Sequence, residues 1–157
     1  MRRNNILRYL LYFTVAFAGC TTYFITSEIA HKVSEVQVWV DYMPGALPRT
    51  HAILRCALEN RTDDTLKIIY AIGTIIDARS TSEIRRFNCQ IGLDEVKKKD
   101  LVMPPNTRLN VAFESPQTVV PFDVKLYDKV SMVIKAECSN DKVLVINSEI
   151  VTPVRTE

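Results

Sequence analysis

The sequence predicts an all-β protein: an antiparallel β-sandwich of seven to eight strands, preceded by an apolar N-terminal helix. Three observations carry this. Apolar residues alternate with polar ones through most of the chain after residue 32. Clusters of turn-forming residues interrupt that alternation at short intervals. A continuous apolar run is confined to the first 25 residues. At 157 residues the chain accommodates one domain and a leader. Its expected boundaries are 1–32 for the leader with its tether and 33–157 for the sandwich.

Met1 to Arg8 carries Arg2, Arg3 and Arg8 and no acid, and Tyr9 to Ile25 is uncharged and mostly apolar. A secretory signal has a basic start, a short apolar stretch and a small-residue cleavage site, which Ala16-Phe17-Ala18 supplies. Phe17-Ala18-Gly19-Cys20 also resembles the lipobox of bacterial lipoproteins, and that resemblance implies lipidation of Cys20. Phe17 departs from the pattern, where an aliphatic residue is usual. An uncleaved membrane anchor is the third reading, favoured by the apolar Tyr23-Phe24-Ile25, since a span needs about 20 apolar residues and about 17 at the short limit. Lipoprotein ranks first, anchor second and free secretion third. Under all three, the arginines hold the N-terminus in the cytoplasm and send the body across the membrane.

The strands follow in order. Val36, Val38 and Val40 alternate up to the turn Met43-Pro44-Gly45-Ala46-Leu47-Pro48. Leu54, Cys56 and Leu58 alternate next, closed by Asn60-Arg61-Thr62-Asp63-Asp64. Leu66, Ile68, Tyr70, Ile72, Thr74 and Ile76 mark the expected inner face of a long strand. Its other face, with Ile69, Ala71 and Ile75, is too apolar for full exposure. Phe87, Cys89, Ile91 and Leu93 read as one strand, and Leu93 to Lys99 as a short helix. Met103-Pro104-Pro105-Asn106 forms a loop before Leu109, Val111 and Phe113. A strand is expected from Val120 to Leu126, another through Val130, Met132, Ile134, Ala136 and Cys138, and a last one from Val143 to Val151.

Asn60 at a strand end, Asp77 closing the long strand, and Met103-Pro104-Pro105-Asn106 before a further strand resemble small bacterial extracytoplasmic Ig-like domains of the FxLYD and YcfL-like lipoprotein type. The resemblance covers about the middle half of the chain, and Ala78-Arg79 stands where a glycine is usual. It implies an Ig-like sandwich and an extracytoplasmic compartment, without a shared enzymatic site.

In an Ig-type sandwich the second and sixth strands face each other, which makes Cys56 and Cys138 the best-placed pair for a disulfide. Such a loop of about 80 residues stabilises by about 3–5 kcal/mol in an oxidising compartment. Three buried reduced thiols, Cys89 included, are the alternative. The cysteines show no C-x-x-C spacing, so no zinc or redox site is expected. His31 and His51 have no convergent partners in the pattern, so neither a metal site nor a catalytic triad is expected. No G-x-G-x-x-G loop is present, and no cofactor is expected. Asp63-Asp64 and Asp94-Glu95 read as solvated turn charges. Asn60-Arg61-Thr62 is formally a glycosylation sequon, though the turn is the better reading.

Removing the three leader arginines from the 20 basic residues leaves 17 against 18 acidic ones. A body so nearly neutral lacks the basic footprint of nucleic-acid binding. Trp39 points away from Val38 and Val40, and Tyr42 sits at the strand end; both are candidate interface residues, with packing under the tether as the competing explanation. The expected function is non-enzymatic: a membrane-tethered accessory or structural subunit of an envelope assembly. The alternative is a carrier of a lipid or other small apolar ligand, held by the sandwich or on the Ile69, Ala71 and Ile75 face.

Overall fold

The computed structural model describes residues 28–41, 49–93, 96–98, 100–116, 129–139 and 141–156. The leader with Cys20, Tyr42 with the following turn, and the strand expected at 120–126 lie outside the described residues. Among the described residues no helix is long and apolar enough to cross a membrane, and every regular element is a strand.

The strands are β1 (Ile29–Asp41), β2 (Arg49–Asn60), β3 (Leu66–Asp77), β4 (Glu83–Asn88), β5 (Gln90–Leu93), β6 (Val96–Lys98), β7 (Leu101–Met103), β8 (Arg108–Glu114), β9 (Val130–Cys138), β10 (Val143–Asn147) and β11 (Val154–Thr156). One sheet runs β11-β1-β2-β8-β5-β6; the other runs β10-β9-β3-β4, with β7 continuing the β4 edge along β3. All neighbours are antiparallel except β1 and β11, which pair in parallel. The sheets share one core. Val38, Leu54, Leu58 and Phe113 come from the first, and Ile68, Met132, Ile134 and Ile146 from the second.

Alternation explains most of this. The expected inward positions of β1, β2, β8 and β9 are buried almost without exception, and β9 is the clearest: Val130, Met132, Ile134, Ala136 and Cys138 are all at most 1% exposed. The described residues form eleven strands rather than seven to eight, because one expected strand divides and short ones are added. The strand expected from Val143 to Val151 ends at Asn147. Three further segments depart from the expectation.

In β3 the register against β9 shifts between Ile68 and Tyr70. Leu66 and Ile68 face the core as expected, but the extra residue reverses the phase beyond it. Ala71, Gly73 and Ile75 then point inward, and Ile69 and Tyr70 are exposed. The outer apolar face expected at Ile69, Ala71 and Ile75 is therefore core for its last two members.

The single strand read from Phe87 to Leu93 is two strands in different sheets. Cys89 is the crossing point: its N–H still donates to the Ala71 carbonyl of β3 at 2.8 Å, and the next residue opens β5 in the other sheet. The expected helix at Leu93–Lys99 is, in its described part, a hairpin pairing Leu93 with Val96 and Ile91 with Lys98. A helix of that length nucleates poorly on its own, whereas Ile91 is buried in the core and its strand is already paired with β8.

Candidate functional site

On the outer face of the first sheet, Trp39 of β1 pairs with His51 of β2 and with Val154 of β11. The Trp39 and His51 rings stack at 5.3 Å between centroids and 20° between planes. Trp39 is half-buried, and it borders a groove of about 370 Å³ lined by Val36, Val38, Val151 and Val154, with Gln37 and Thr152 as its polar members. A few polar groups in an apolar recess suit an apolar ligand or an aromatic anchor better than a reaction. His31 is exposed on β1 in register with Leu58, far along the strand from the Trp39–His51 pair. Among the described residues no group of three or more His, Cys, Asp or Glu could hold a metal ion.

Further along the same face Arg55 pairs with Glu35, beside a shallow concavity of about 410 Å³ lined by Ser34, Asn110, Ala112 and Gly92. Both members of the ion pair are more than a third exposed, so it contributes little to stability.

The expected Cys56–Cys138 bridge is not formed: Cys56, Cys89 and Cys138 are all free thiols. Cys56 and Cys138 lie on different sheets and are buried, as expected. Their places along the strands differ, with Cys56 mid-strand between Val33 and Val111, and Cys138 the last residue of β9 beside Ile68. Burial pushes the Cys56 and Cys89 thiols up to about 12, and burial likewise raises Cys138. A thiol so rarely ionised is neither a nucleophile nor a redox handle at neutral pH.

Asn60, expected at a strand end as a turn former, has a larger part in the structure. It is fully buried. Its Nδ2 donates to the carbonyls of Asp64 at 2.8 Å, Met103 at 3.0 Å and Pro104 at 3.0 Å. Its Oδ1 accepts from the Thr62 N–H and from Thr62 Oγ1. The side chain thus joins the β2–β3 turn to the β7–β8 loop, and nothing is left for a glycan to be attached to. Asp77 organises the opposite turn by accepting from the Arg79 N–H and Ser80 Oγ, and those bonds hold its carboxyl below the usual range. Asp63 and Asp64 lie in the Asn60 turn; Asp94 and Glu95 lie outside the described residues.

The second sheet shows its apolar surface at Ile69, Tyr70, Val143 and Val145, which are 47%, 50%, 62% and 41% exposed. Tyr70 stands level with Glu137, and the hydrogen bond from its hydroxyl to that carboxylate raises the phenol's pKa. The alternation of β10 gave a signal for Val143 and Val145, but only the sheet order reveals that they lie on an edge strand.

No family model matches the chain. No curated protein matches it either. Among solved structures, the Northeast Structural Genomics Consortium target SoR45 is similar at 14% identity and a TM-score of 0.46, over 83% of this chain and 89% of that one. A protein from Archaeoglobus fulgidus is similar at 11% identity and 0.45, over 77% and 97%. The copper-bound PCuAC domain from PmoF2 gives 14% and 0.36, over 78% and 97%. At such identities and scores nothing of their chemistry is carried over to this chain. The resemblance to FxLYD and YcfL-like domains has no counterpart among these similarities.

Proposed function

We propose that this chain is an Ig-like sandwich held at a membrane by its N-terminus on the extracytoplasmic side, acting without catalysis as an accessory or structural subunit through protein contacts. The observation that carries the reading is the arginine-led apolar run up to Ile25 standing directly before the sandwich. Glu28, the first described residue, is locked into the fold: its carbonyl accepts the Arg61 N–H at 2.8 Å, and its carboxylate pairs with Lys142. The body offers two buried thiols and a half-buried one, two separated histidines and no gathered carboxylates among the described residues. It also presents apolar side chains at Val143, Val145 and Tyr70, with Trp39 at a groove. Tethering concentrates the domain at the membrane, where weak contacts suffice. The test is to extract the protein from membranes and weigh its mature N-terminus. An acylated Cys20 is expected, an intact Met1 selects the anchor, and a soluble chain beginning near Gly19 removes the tether. A protein that always purifies alone counts against the contact-making role.

The groove beside Trp39 supports a second reading, a carrier of a small apolar ligand. It replaces the Ile69, Ala71 and Ile75 face, which burial of Ala71 and Ile75 rules out. Mass spectrometry of organic extracts from the purified protein decides it, and an extract free of bound lipid removes this reading.

A further inference from the structure

The sandwich has two open sheets, so several strands present an unpaired edge, and proteins ordinarily guard such edges against added strands. Four of the five described edge strands are guarded. β4 carries Glu83, Arg85 and Arg86 and a register shift. β6 carries Lys97 and Lys98. β7 is three residues long, between Asp100 and Pro104. β11 is equally short, follows Pro153 and carries Arg155. β10 is different: Val143-Leu144-Val145-Ile146-Asn147 has no charge, no proline and no register shift against β9.

The hydrogen bonds that bracket β10 fix which backbone groups it presents. The Cys138 N–H donates to the Lys142 carbonyl at 2.8 Å, and the Ser148 N–H donates to the Met132 carbonyl at 2.9 Å. Bonding alternates along an antiparallel pair, so Leu144 and Ile146 bond to β9. The N–H and C=O groups of Val143, Val145 and Asn147 point away from the sheet, and none has a partner among the described residues.

We infer that β10 is a pairing edge for a second copy of this chain, with the two β10 strands antiparallel about a two-fold axis at Val145. The sequence is self-complementary in that register. Val145 meets Val145 and Val143 meets Asn147, each an outward-bonding residue opposite another. On the inner face Leu144 stands beside Ile146, extending both cores. Lys142 comes opposite Ser148 of the second copy with Glu149 diagonal to it, while Asp141 and Glu149, which share a level, lie beyond the paired residues at the two ends. A slip by two residues, which keeps the faces, sets Asn147 opposite Asp141 or Val143 opposite Glu149 and loses outward-bonding pairs. The pairing is isologous and closes on itself, which gives a dimer and no filament. Antiparallel strands send the two N-termini to opposite ends of the joined sheet, so paired copies on one membrane lie along the bilayer.

This deepens the contact-making reading by naming one partner, and its test is separate from that of the tether. The full-length chain in mild detergent is expected to scatter light as two chains. Val145→Lys, at an exposed position outside the core, is expected to scatter as one chain with an unchanged unfolding midpoint. Val102→Lys on β7, which is 51% exposed, keeps the pair. In a second measurement, Val145→Cys is expected to be linked between copies by a short bis-maleimide, and Val96→Cys is not. A wild-type chain that is monomeric, or a dimer indifferent to Val145→Lys and unlinked at position 145, overturns the inference. A monomer that still co-purifies with a different protein overturns it too, and leaves the function reading standing.

Discussion

Asn60 is the residue on which two loops depend, because the two N–H groups of one amide are shared among three carbonyls and its oxygen accepts from Thr62. Replacing it by alanine strips a partner from the buried Met103 carbonyl and from the more accessible carbonyls of Asp64 and Pro104, at about 1–3 kcal/mol for a buried group left unsatisfied. Asn60→Ala is therefore expected to lose about 2–4 kcal/mol in urea unfolding. Asn60→Asp, which sets an acceptor against those carbonyls, is expected to lose more. Asp77 gives a pH signature. Its carboxyl is lowered by the Arg79 N–H and the Ser80 hydroxyl, so its contribution is complete above the ordinary carboxylate range and is lost as pH falls through the lowered value. An Asp77→Asn variant should show a shallower acid limb in a plot of urea midpoint against pH. Gly73 is tied to a neighbour rather than to a turn: a Cβ there would lie 2.5 Å from Phe87 Cε2 and 3.0 Å from Cys89 Sγ. The ring end can swing, so Gly73→Ala is expected to cost about 1–3 kcal/mol and to increase the exposure of Phe87, without abolishing folding.

The strands show where alternation informs and where it fails. A period of two identifies a strand and its two faces. On that basis β2, β8 and β9 are legible because each keeps its phase, and β1 because Val36, Val38 and Val40 all lie beyond the register shift between Val33 and Glu35. One inserted residue leaves the composition untouched and reverses the faces, which is why β3 was read correctly up to Ile68 and inverted after it. The crossing at Cys89 was invisible for a related reason, since Phe87, Cys89, Ile91 and Leu93 keep one apparent phase while the chain moves between sheets. The edge role of β10 depends on sheet order, which is a property of the whole chain and leaves no local trace. A pair of substitutions separates the inverted reading of β3 from the observed one. Ile69→Thr is expected to change stability by less than about 0.5 kcal/mol, because Ile69 is 47% exposed. Ile75→Thr places a hydroxyl in the core and is expected to cost about 2–3 kcal/mol, read from the same urea curves.

At the scale of the molecule, no disulfide joins the two sheets among the described residues, and the shared core holds them together. Reductant should leave the thermal midpoint unchanged. Thiol reagents should reach the buried Cys56 and Cys138 only on unfolding and the half-buried Cys89 slowly, since burial raises the pKa of all three. An exposed introduced thiol reacts ahead of these and serves, with the labelled position verified by peptide mapping, as a probe of the membrane distance. Only Thr26 and Ser27 separate Ile25, the end of the apolar run, from the locked Glu28, a reach of about 10 Å when extended. From Cys20 to Glu28 the reach is about 28 Å. Arg61 holds Glu28 through its backbone N–H, and its side chain is 58% exposed, so Arg61→Cys keeps the lock and carries a fluorophore at the tethered end. With lipid-attached quenchers in the bilayer, a Cys20 lipid anchor allows the label to stand clear of the headgroups, and quenching should be weak and should grow when residues 21–27 are shortened. A helical anchor forces the label against the headgroups, so strong quenching from the outset, in a chain that retains Met1, would transfer the preference from lipid to helix.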